Sequence, residues 1–384
     1  MDPGSRRRCQ FLLFGVVRHW SFLESQLDAF VKKRPRLGTW ASLLVASYEL
    51  LANPEKSAQI VDHAVGRIGK RFSAAEKSLA NAVLRKVARE IVESSSAHPK
   101  DSASLAMRYS HPQWLVDRWI RQFGFEDALR FAKWNQEEPE IYFLPLDDEA
   151  KGGQLGEPTD WPPFRRAVGS SWADLSQAIE KGALYIQNPG ARLAPELLVK
   201  HFEHGRILDL CAAPGGKSFY LEKALAETQL EIVAVDLPGP RFDRLVSNIE
   251  RFGSGRLSSL ASDLFELDAG RVGSFDAVLL DAPCSNSGVL QKKPDAKWRI
   301  GPDQFGELVE LQLSLLAKAS AFVDQAGLLV YSTCSVDAEE NEAVVDRFLA
   351  TDVGQRFQLV SRSQSLPWLT GHDGAGAFLL RRES

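Results

Sequence analysis

From Trp20 to about Glu93 apolar residues recur at helical spacing, as at Leu43, Leu44, Tyr48 and Leu51 and again at Leu79, Val83, Leu84 and Val87. Nothing there alternates as a strand would, so the stretch predicts a bundle of helices. Asn53-Pro54 closes one helix, and Ser73 followed by Glu76 is a capping box that opens the next. The segment Glu93 to Ser104 is polar, Ser-rich and carries a proline, which reads as a linker and ends an all-α domain at residues 1–95. Residues 96–185 predict a small mixed subdomain, with a helical pattern from Trp114 to Phe131 and a Pro- and Gly-studded region from Pro139 to Pro163. After Gly205 the pattern changes. Short apolar runs at Arg206–Leu210, Glu231–Val235, Phe275–Leu280 and Gly327–Tyr331 alternate with helical stretches, the signature of βαβ units around a mostly parallel, buried sheet. The fold class is therefore α/β in residues 186–384, preceded by the helical and mixed segments.

The 384 residues leave room for two or three domains, and 44% hydrophobic with 25% charged residues excludes a disordered or fibrous chain. No apolar run nears the roughly 20 residues that cross a bilayer. Arg6, Arg7 and Arg8 ahead of Phe11–Val17 imitate a secretory signal, but no small-residue cleavage pattern follows, so an ordinary first helix is expected. The four cysteines, Cys9, Cys211, Cys284 and Cys334, are too sparse for a disulfide scaffold or a spaced zinc site. Free thiols, no metal and a cytoplasmic location fit them. Charge is uneven: residues 1–110 carry 18 Lys+Arg against 10 Asp+Glu, and the remainder 28 against 40. A basic leading part suggests contact with a polyanion, although a solvated helical surface would look the same.

The sharpest motif is Ile207-Leu-Asp-Leu-Cys-Ala-Ala-Pro-Gly-Gly-Lys-Ser218, a buried strand running through small residues into a helix, where open α/β sheets bind ligands. Its end imitates a phosphate loop, but that loop needs glycine at position 211, where this chain has Cys211. The G-x-G-x-x-G dinucleotide pattern is also missing. Asp236, ending the second strand, is placed to accept hydrogen bonds from ribose hydroxyls, and Asp263 could meet an adenine amine. Either acid alone is more often a cap or turn residue, yet both follow a glycine-rich first turn. Two more strand ends carry cysteines, in Asp281-Ala-Pro-Cys-Ser285 and Tyr331-Ser-Thr-Cys-Ser335. One such cysteine is by default a small buried hydrophobe. Two in equivalent places beside Asp281 point to chemistry.

Asp209-Leu-Cys-Ala-Ala-Pro-Gly-Gly-Lys217, Asp281-Ala-Pro-Cys-Ser285, Pro294-Asp-Ala-Lys-Trp298, and Ser332-Thr-Cys-Ser335 followed by Glu339-Glu-Asn-Glu342 resemble the motif set of the Nop2/Sun family of RNA 5-methylcytosine methyltransferases. Upstream, Arg108-Tyr-Ser-His-Pro-Gln-Trp-Leu-Val116 is similar to the start of that family's RNA-facing subdomain. The helical region ending in Asn81-Ala-Val-Leu-Arg85 is similar to the NusB-like RNA-binding domain of the family's RsmB branch, which modifies small-subunit ribosomal RNA. The resemblance implies a Rossmann-like methyltransferase domain with S-adenosylmethionine over Cys211, Ala212, Ala213, Pro214, Gly215, Gly216 and Lys217, near Asp236, Asp263 and Asp281. It implies Cys334 as the nucleophile at cytosine carbon 6, in its thiolate form. Asp281 would hydrogen-bond N3, and Cys284 would assist product release. The target base must leave its stack. The chain departs from the family's pattern at Gln187-Asn188-Pro189, at Leu237-Pro-Gly-Pro240, and at His372-Asp-Gly-Ala-Gly-Ala-Phe378. Alternatives are Cys284 as nucleophile, by analogy with the Pro-Cys motif of DNA cytosine methyltransferases; transfer RNA as substrate; and a non-catalytic RNA-binding assembly factor. A monomer is expected.

Overall fold

In the computed structural model, which describes residues 2–147 and 155–383, the chain divides into two compact units, one of residues 1–138 with 290–299 and one of residues 139–289 with 300–384. Part of the Pro/Gly-studded region, residues 148–154, lies outside the described residues.

The first unit is helical: α1 (Pro3–Arg18), α2 (Trp20–Asp28), α3 (Leu37–Ala52), α4 (Ser57–Arg71), α5 (Ala74–Ser96), α6 (Ser102–Arg108), α7 (Gln113–Phe123) and α8 (Phe125–Trp134). The periodic residues form its core, with Leu23, Leu27, Leu43, Leu84, Val87 and Ile91 buried together. The capping box at α5 is complete: Glu76 N–H donates to Ser73 Oγ at 3.3 Å, and Ser73 N–H to Glu76 Oε2 at 3.2 Å. Two findings differ from the sequence pattern. The serines of the expected linker form the last turn of α5, and Asp101 caps α6 directly after it. The single helical pattern from Trp114 to Phe131 is two helices, broken at Gly124, whose φ of 81° opposes continuation. Residues 290–299 close the unit by capping α1. Lys297 Nζ donates to Arg18 O and Trp298 Nε1 to Val17 O, both at 2.9 Å. These side chains satisfy carbonyls that a helix end leaves without partners.

The second unit opens with a small antiparallel sheet of β1 (Tyr142–Pro145), β2 (Glu157–Pro158), β3 (Arg165–Arg166) and β4 (Leu184–Ile186), with α9 (Trp172–Glu180) between the last two strands. After α10 (Leu193–Val199) comes a larger sheet: β5 (Gly205–Leu210), β6 (Leu230–Asp236), β7 (Leu257–Ala261), β8 (Phe275–Asp281), β9 (Val323–Thr333), β10 (Phe357–Ser365) and β11 (Ala375–Arg382). Its order is β10-β11-β9-β8-β5-β6-β7. Strands β5 to β9 pair in parallel, whereas β11 joins β9 and β10 antiparallel. Each of the four strands expected from apolar runs is present, extended by one to four residues at an end. Helices α11 (Gly216–Ala224), α12 (Pro240–Phe252), α13 (Ala269–Val272), α15 (Pro302–Ser320) and α16 (Glu342–Leu349) fall between or after the strands; α14 (Ala296–Arg299) is the short helix of the inserted segment, and α17 (Pro367–Thr370) lies between β10 and β11. The chain leaves β5 toward β6 on one side and reaches β8 on the other. The carboxyl end of β5 is thus the switch point at which open sheets of this kind hold ligands.

Candidate functional site

At the switch point β5 turns into α11 through Cys211 to Gly215. Cys211 takes a left-handed φ of 59° and Gly215 a φ of 106°, and Gly215 N–H closes the turn on Ala212 O at 2.7 Å. Protein packing demands the first glycine, whereas at the second the close neighbour is the movable end of a side chain. A Cβ on Gly215 would lie 2.9 Å from the Phe219 ring, and one on Gly216 would lie 2.7 Å from Gln187 Nε2. Asp236, ending β6, anchors the same loop. Its Oδ2 accepts from Ala213 N–H and its Oδ1 from Leu237 N–H, each at 2.8 Å. Arg241 Nη2 lies 3.8 Å from Asp236 Oδ2 and donates to Ala213 O at 2.9 Å. Asp263 stands one residue beyond Ser262, whose N–H donates to Asp236 O at 3.0 Å, and its Oδ1 accepts from Phe265 N–H at 2.9 Å. Asp263 is therefore the turn residue that its type suggests, placed beside the end of β6.

Asp209, inside β5, is fully buried and accepts from Ser218 Oγ at 2.5 Å, while its Oδ1 has no partner. Burial pushes its carboxyl up to about 7. Cys211 rises to about 12 through burial and the nearby charges of Asp236 and Asp281, so it sits there as a neutral thiol. Carboxyls at the ends of adjacent parallel strands, with an orphaned buried oxygen behind them, make a set of acceptors that fits a ligand rich in hydrogen-bond donors.

The cysteines meet one strand further along. Cys284 Sγ lies 3.0 Å from Cys334 Sγ, the first buried and the second half-buried. Asn286, at a φ of 63°, donates from Nδ2 to Cys284 O at 2.9 Å and accepts from Cys334 Sγ at 3.4 Å. Gly288 N–H donates to Cys334 O at 3.0 Å, which ties the loop after β8 to the loop after β9. The contact with Cys334, then burial, raises the Cys284 thiol well above its ordinary range. Beside the pair, Lys217 Nζ meets Asp281 Oδ2 at 2.5 Å, and Ser332 Oγ donates to Asp281 Oδ1 at 3.0 Å. Burial opposes the Lys217 charge, but the carboxylate of Asp281 outweighs it and raises the ammonium. Lys217, Ser332, Thr333, Cys334, Asp373 and Gly374 line one cavity.

The residues singled out in sequence thus gather in two clusters. Cys211 to Gly216 stand with Asp236, and Asp263 follows at the next strand end; Lys217, Asp281, Cys284 and Cys334 form the other. Sequence reasoning placed Lys217 in the ligand loop and missed its pairing with Asp281; it missed Asn286, and it gave no role to Ser332 and Glu340 although both lie inside the quoted motifs. The Pro294–Trp298 motif packs in the helical unit, as do Ser110 and His111, which are buried there. At the departures from the family's pattern, Asn188 Oδ1 accepts from Gly190 N–H and Asp373 N–H, each at 3.0 Å, so the two altered segments brace each other. Among the described residues no cluster of His, Cys, Asp and Glu could hold a metal ion, and no helix is long and apolar enough to cross a membrane.

A profile of the family described as 16S rRNA methyltransferase RsmB/F matches residues 196–366, and one of the NusB family matches residues 1–89. The chain is 32% identical over 366 residues to a ribosomal RNA small subunit methyltransferase B from Shigella boydii serotype 4 (strain Sb227), an overlap of 88% of this chain and 81% of that protein. It is 29% identical over 364 residues to a probable ribosomal RNA small subunit methyltransferase B from Bacillus subtilis (strain 168), covering 88% and 78%. A crystal structure of a methyltransferase homologue from Pyrococcus horikoshii superposes with a TM-score of 0.62 at 22% identity, covering 74% of this chain and 100% of that one.

Proposed function

Because the chain belongs to the RsmB/F family of 16S ribosomal RNA methyltransferases and carries a NusB-family segment at its N-terminus, we propose that it methylates carbon 5 of a cytosine in small-subunit ribosomal RNA. The observation that carries this reading is the pair of thiols 3.0 Å apart beside the Lys217–Asp281 ion pair. Two cysteines and a paired acid have no shared purpose in a plain binding fold. They suit a reaction in which a covalent adduct is made and then released.

Carbon 5 of cytosine is a poor nucleophile. In this reading the Cys334 thiolate adds to carbon 6, and the ring electrons move toward carbon 5, which then takes the methyl group. As charge builds on the ring, N3 takes a proton from solvent, and the Asp281 carboxylate, held by Lys217 and Ser332, accepts a hydrogen bond from N3–H and stabilises the adduct. Water takes the carbon 5 proton, the sulfur–carbon 6 bond breaks to restore the ring, and the Cys284 thiol, 3.0 Å from Cys334 Sγ, assists that release by donating a proton to the departing sulfur. Residues 211–217 would hold S-adenosylmethionine, with Asp236 available to its ribose and Asp263 to its adenine, and the cofactor would supply an electrophilic methyl group. Residues 1–95 serve as the NusB-like RNA-binding module and 96–185 as a connecting subdomain, with 186–384 as the catalytic domain of a cytoplasmic monomer.

A denaturing gel tests this. Wild type, Cys284→Ala and Cys334→Ala are mixed with bacterial RNA and S-adenosylmethionine, and protein-linked RNA is sequenced. An adduct that accumulates in Cys284→Ala and is missing in Cys334→Ala, carrying small-subunit sequence, is expected. The reverse pattern would make Cys284 the nucleophile, transfer RNA in the adduct would change the substrate, and no adduct in any variant would overturn the catalytic reading.

A further inference from the structure

Glu340 is a buried acid that the reaction above does not use. It ends the 3₁₀ turn Ala338–Glu340 after β9, is fully shielded from solvent, and turns both side-chain oxygens toward the Cys284 loop. Oε1 accepts from Ser285 N–H at 2.8 Å and from Gln312 Nε2 at 2.9 Å, and Oε2 accepts from Ser285 Oγ at 2.5 Å. Gln312, on α15, also donates from Nε2 to Pro283 O at 2.9 Å. The residues on either side of Cys284 are therefore gripped from one point. The turn itself is fixed from behind, since Tyr331 OH donates to Glu340 O at 2.6 Å.

A buried carboxyl is costly unless its hydrogen bonds are met, and here they are met by the peptide that carries a reactive thiol. We propose that Glu340 is a positioning residue that acts through Ser285 and Gln312 to hold Cys284 against Cys334, and so sets the rate at which the covalent RNA adduct is released. The proposal rests on the functional reading above. Its geometry also explains why the loop after β8 stays in register with Cys334 although neither cysteine is in a strand.

The test compares Glu340→Ala, Glu340→Gln and Ser285→Ala with Cys284→Ala in the full-length protein. S-adenosylmethionine affinity, the thermal melting curve and adduct lifetime on a denaturing gel are the readouts. Losing one hydrogen bond to a charged group corresponds to about tenfold in rate. Glu340→Ala is therefore expected to lengthen adduct lifetime by about tenfold or more while binding S-adenosylmethionine as wild type does. Glu340→Gln keeps an acceptor for both N–H donors, and its amide can donate to Ser285 Oγ, so release should return close to wild type. Combining Glu340→Ala with Cys284→Ala should add nothing further. A merely structural role would lower adduct formation and cofactor binding together and would leave release alone. Wild-type release in Glu340→Ala overturns the proposal, as does equal slowing in Glu340→Gln. Where Glu340→Ala melts early, Ser285→Ala decides: slow release supports the grip and wild-type release refutes it. A Cys284→Ala protein that accumulates no adduct takes down the underlying reading as well, and is distinguishable from failure at Glu340 alone.

Discussion

Replacing Asp209 with asparagine should change how stability depends on pH. Burial pushes the Asp209 carboxyl from 3.8 up to about 7; Ser218 and Lys217 pull it down, while Asp281 and Asp236 push it further up. The folded protein therefore holds this proton more tightly than the unfolded chain does. Stability from this group is fully present below about pH 4 and is lost as pH rises toward 7. A gap of about three units at about 1.4 kcal/mol each places up to about 4 kcal/mol on the one proton. Asparagine cannot ionise, so Asp209→Asn keeps the low-pH plateau. Its amide N–H₂ would stand where the partnerless Oδ1 stands now, which costs about 1–3 kcal/mol at every pH. The expected result is a variant slightly less stable than wild type near pH 4 and as stable or more stable above pH 7. Urea unfolding of both proteins across that range measures it, and the quantity to follow is the difference between them, in which the other titrating groups cancel. A difference that stays constant with pH would refute the reasoning, because Asp209 would then be ionised in the folded protein throughout.

Four further substitutions probe other parts of the structure. Lys217→Met leaves the Asp281 carboxylate without its counter-charge and alters the loop that would hold the cofactor, so turnover should fall by about 100-fold or more and S-adenosylmethionine affinity in calorimetry should weaken with it. Phe219 is buried, stacks edge-on with Tyr185 and Phe252 at ring distances of 5.1 and 5.7 Å, and fills the space under Gly215. Phe219→Ala should cost about 3–5 kcal/mol in denaturant unfolding and weaken cofactor binding through the loosened loop. In the helical unit, Ser73→Ala should cost about 1 kcal/mol by removing the cap of α5. Thr39 Oγ1, 2.7 Å from Glu76, is the main group holding that carboxyl down near 2, so stability there is present above the ordinary value and lost as pH falls. Thr39→Val should shift the acid unfolding midpoint upward, read by far-ultraviolet circular dichroism.

The strands were legible where burial on both faces makes a continuous apolar run. Ile207, Leu208, Leu210 and Val278 to Leu280 are such positions, and their strands lie at the centre of the sheet. The edge strand β10 was missed for the converse reason. Phe357 to Ser365 is mostly exposed, and its apolar residues Phe357, Leu359 and Val360 are followed by the polar run Ser361 to Gln364, so no continuous apolar run or clean alternation announces it. β7 has only Leu257 and Leu260 to mark it, with serines between them. The division of α7 from α8 was hidden for another reason: helical periodicity survives a break when the residue at the break is a glycine that re-aims the chain without shifting the apolar face.

The site was legible to a different depth. Strand-end acids and cysteines can be read because the topology of an open sheet brings carboxyl ends together whatever the intervening helices contain. What joins them cannot be read that way. Lys217 reaches Asp281 across 64 residues of sequence, and Glu340 grips the peptide beside Cys284 from 55 residues away, by contacts that depend on side-chain direction as well as topology. The same limit applies to the glycines. Gly215 and Gly216 suggest open space for a ligand, yet the atoms a Cβ would strike belong to Phe219, Leu245, Tyr185 and Gln187. Those residues support the loop from below, so the glycines shape the ligand site by letting the protein pack tightly behind it. Substituting Gly215 should therefore disturb the loop in the free protein as well as in the complex, and the loss of cofactor affinity should be accompanied by a lower melting temperature. A glycine whose only role was to admit a ligand would show the first effect without the second.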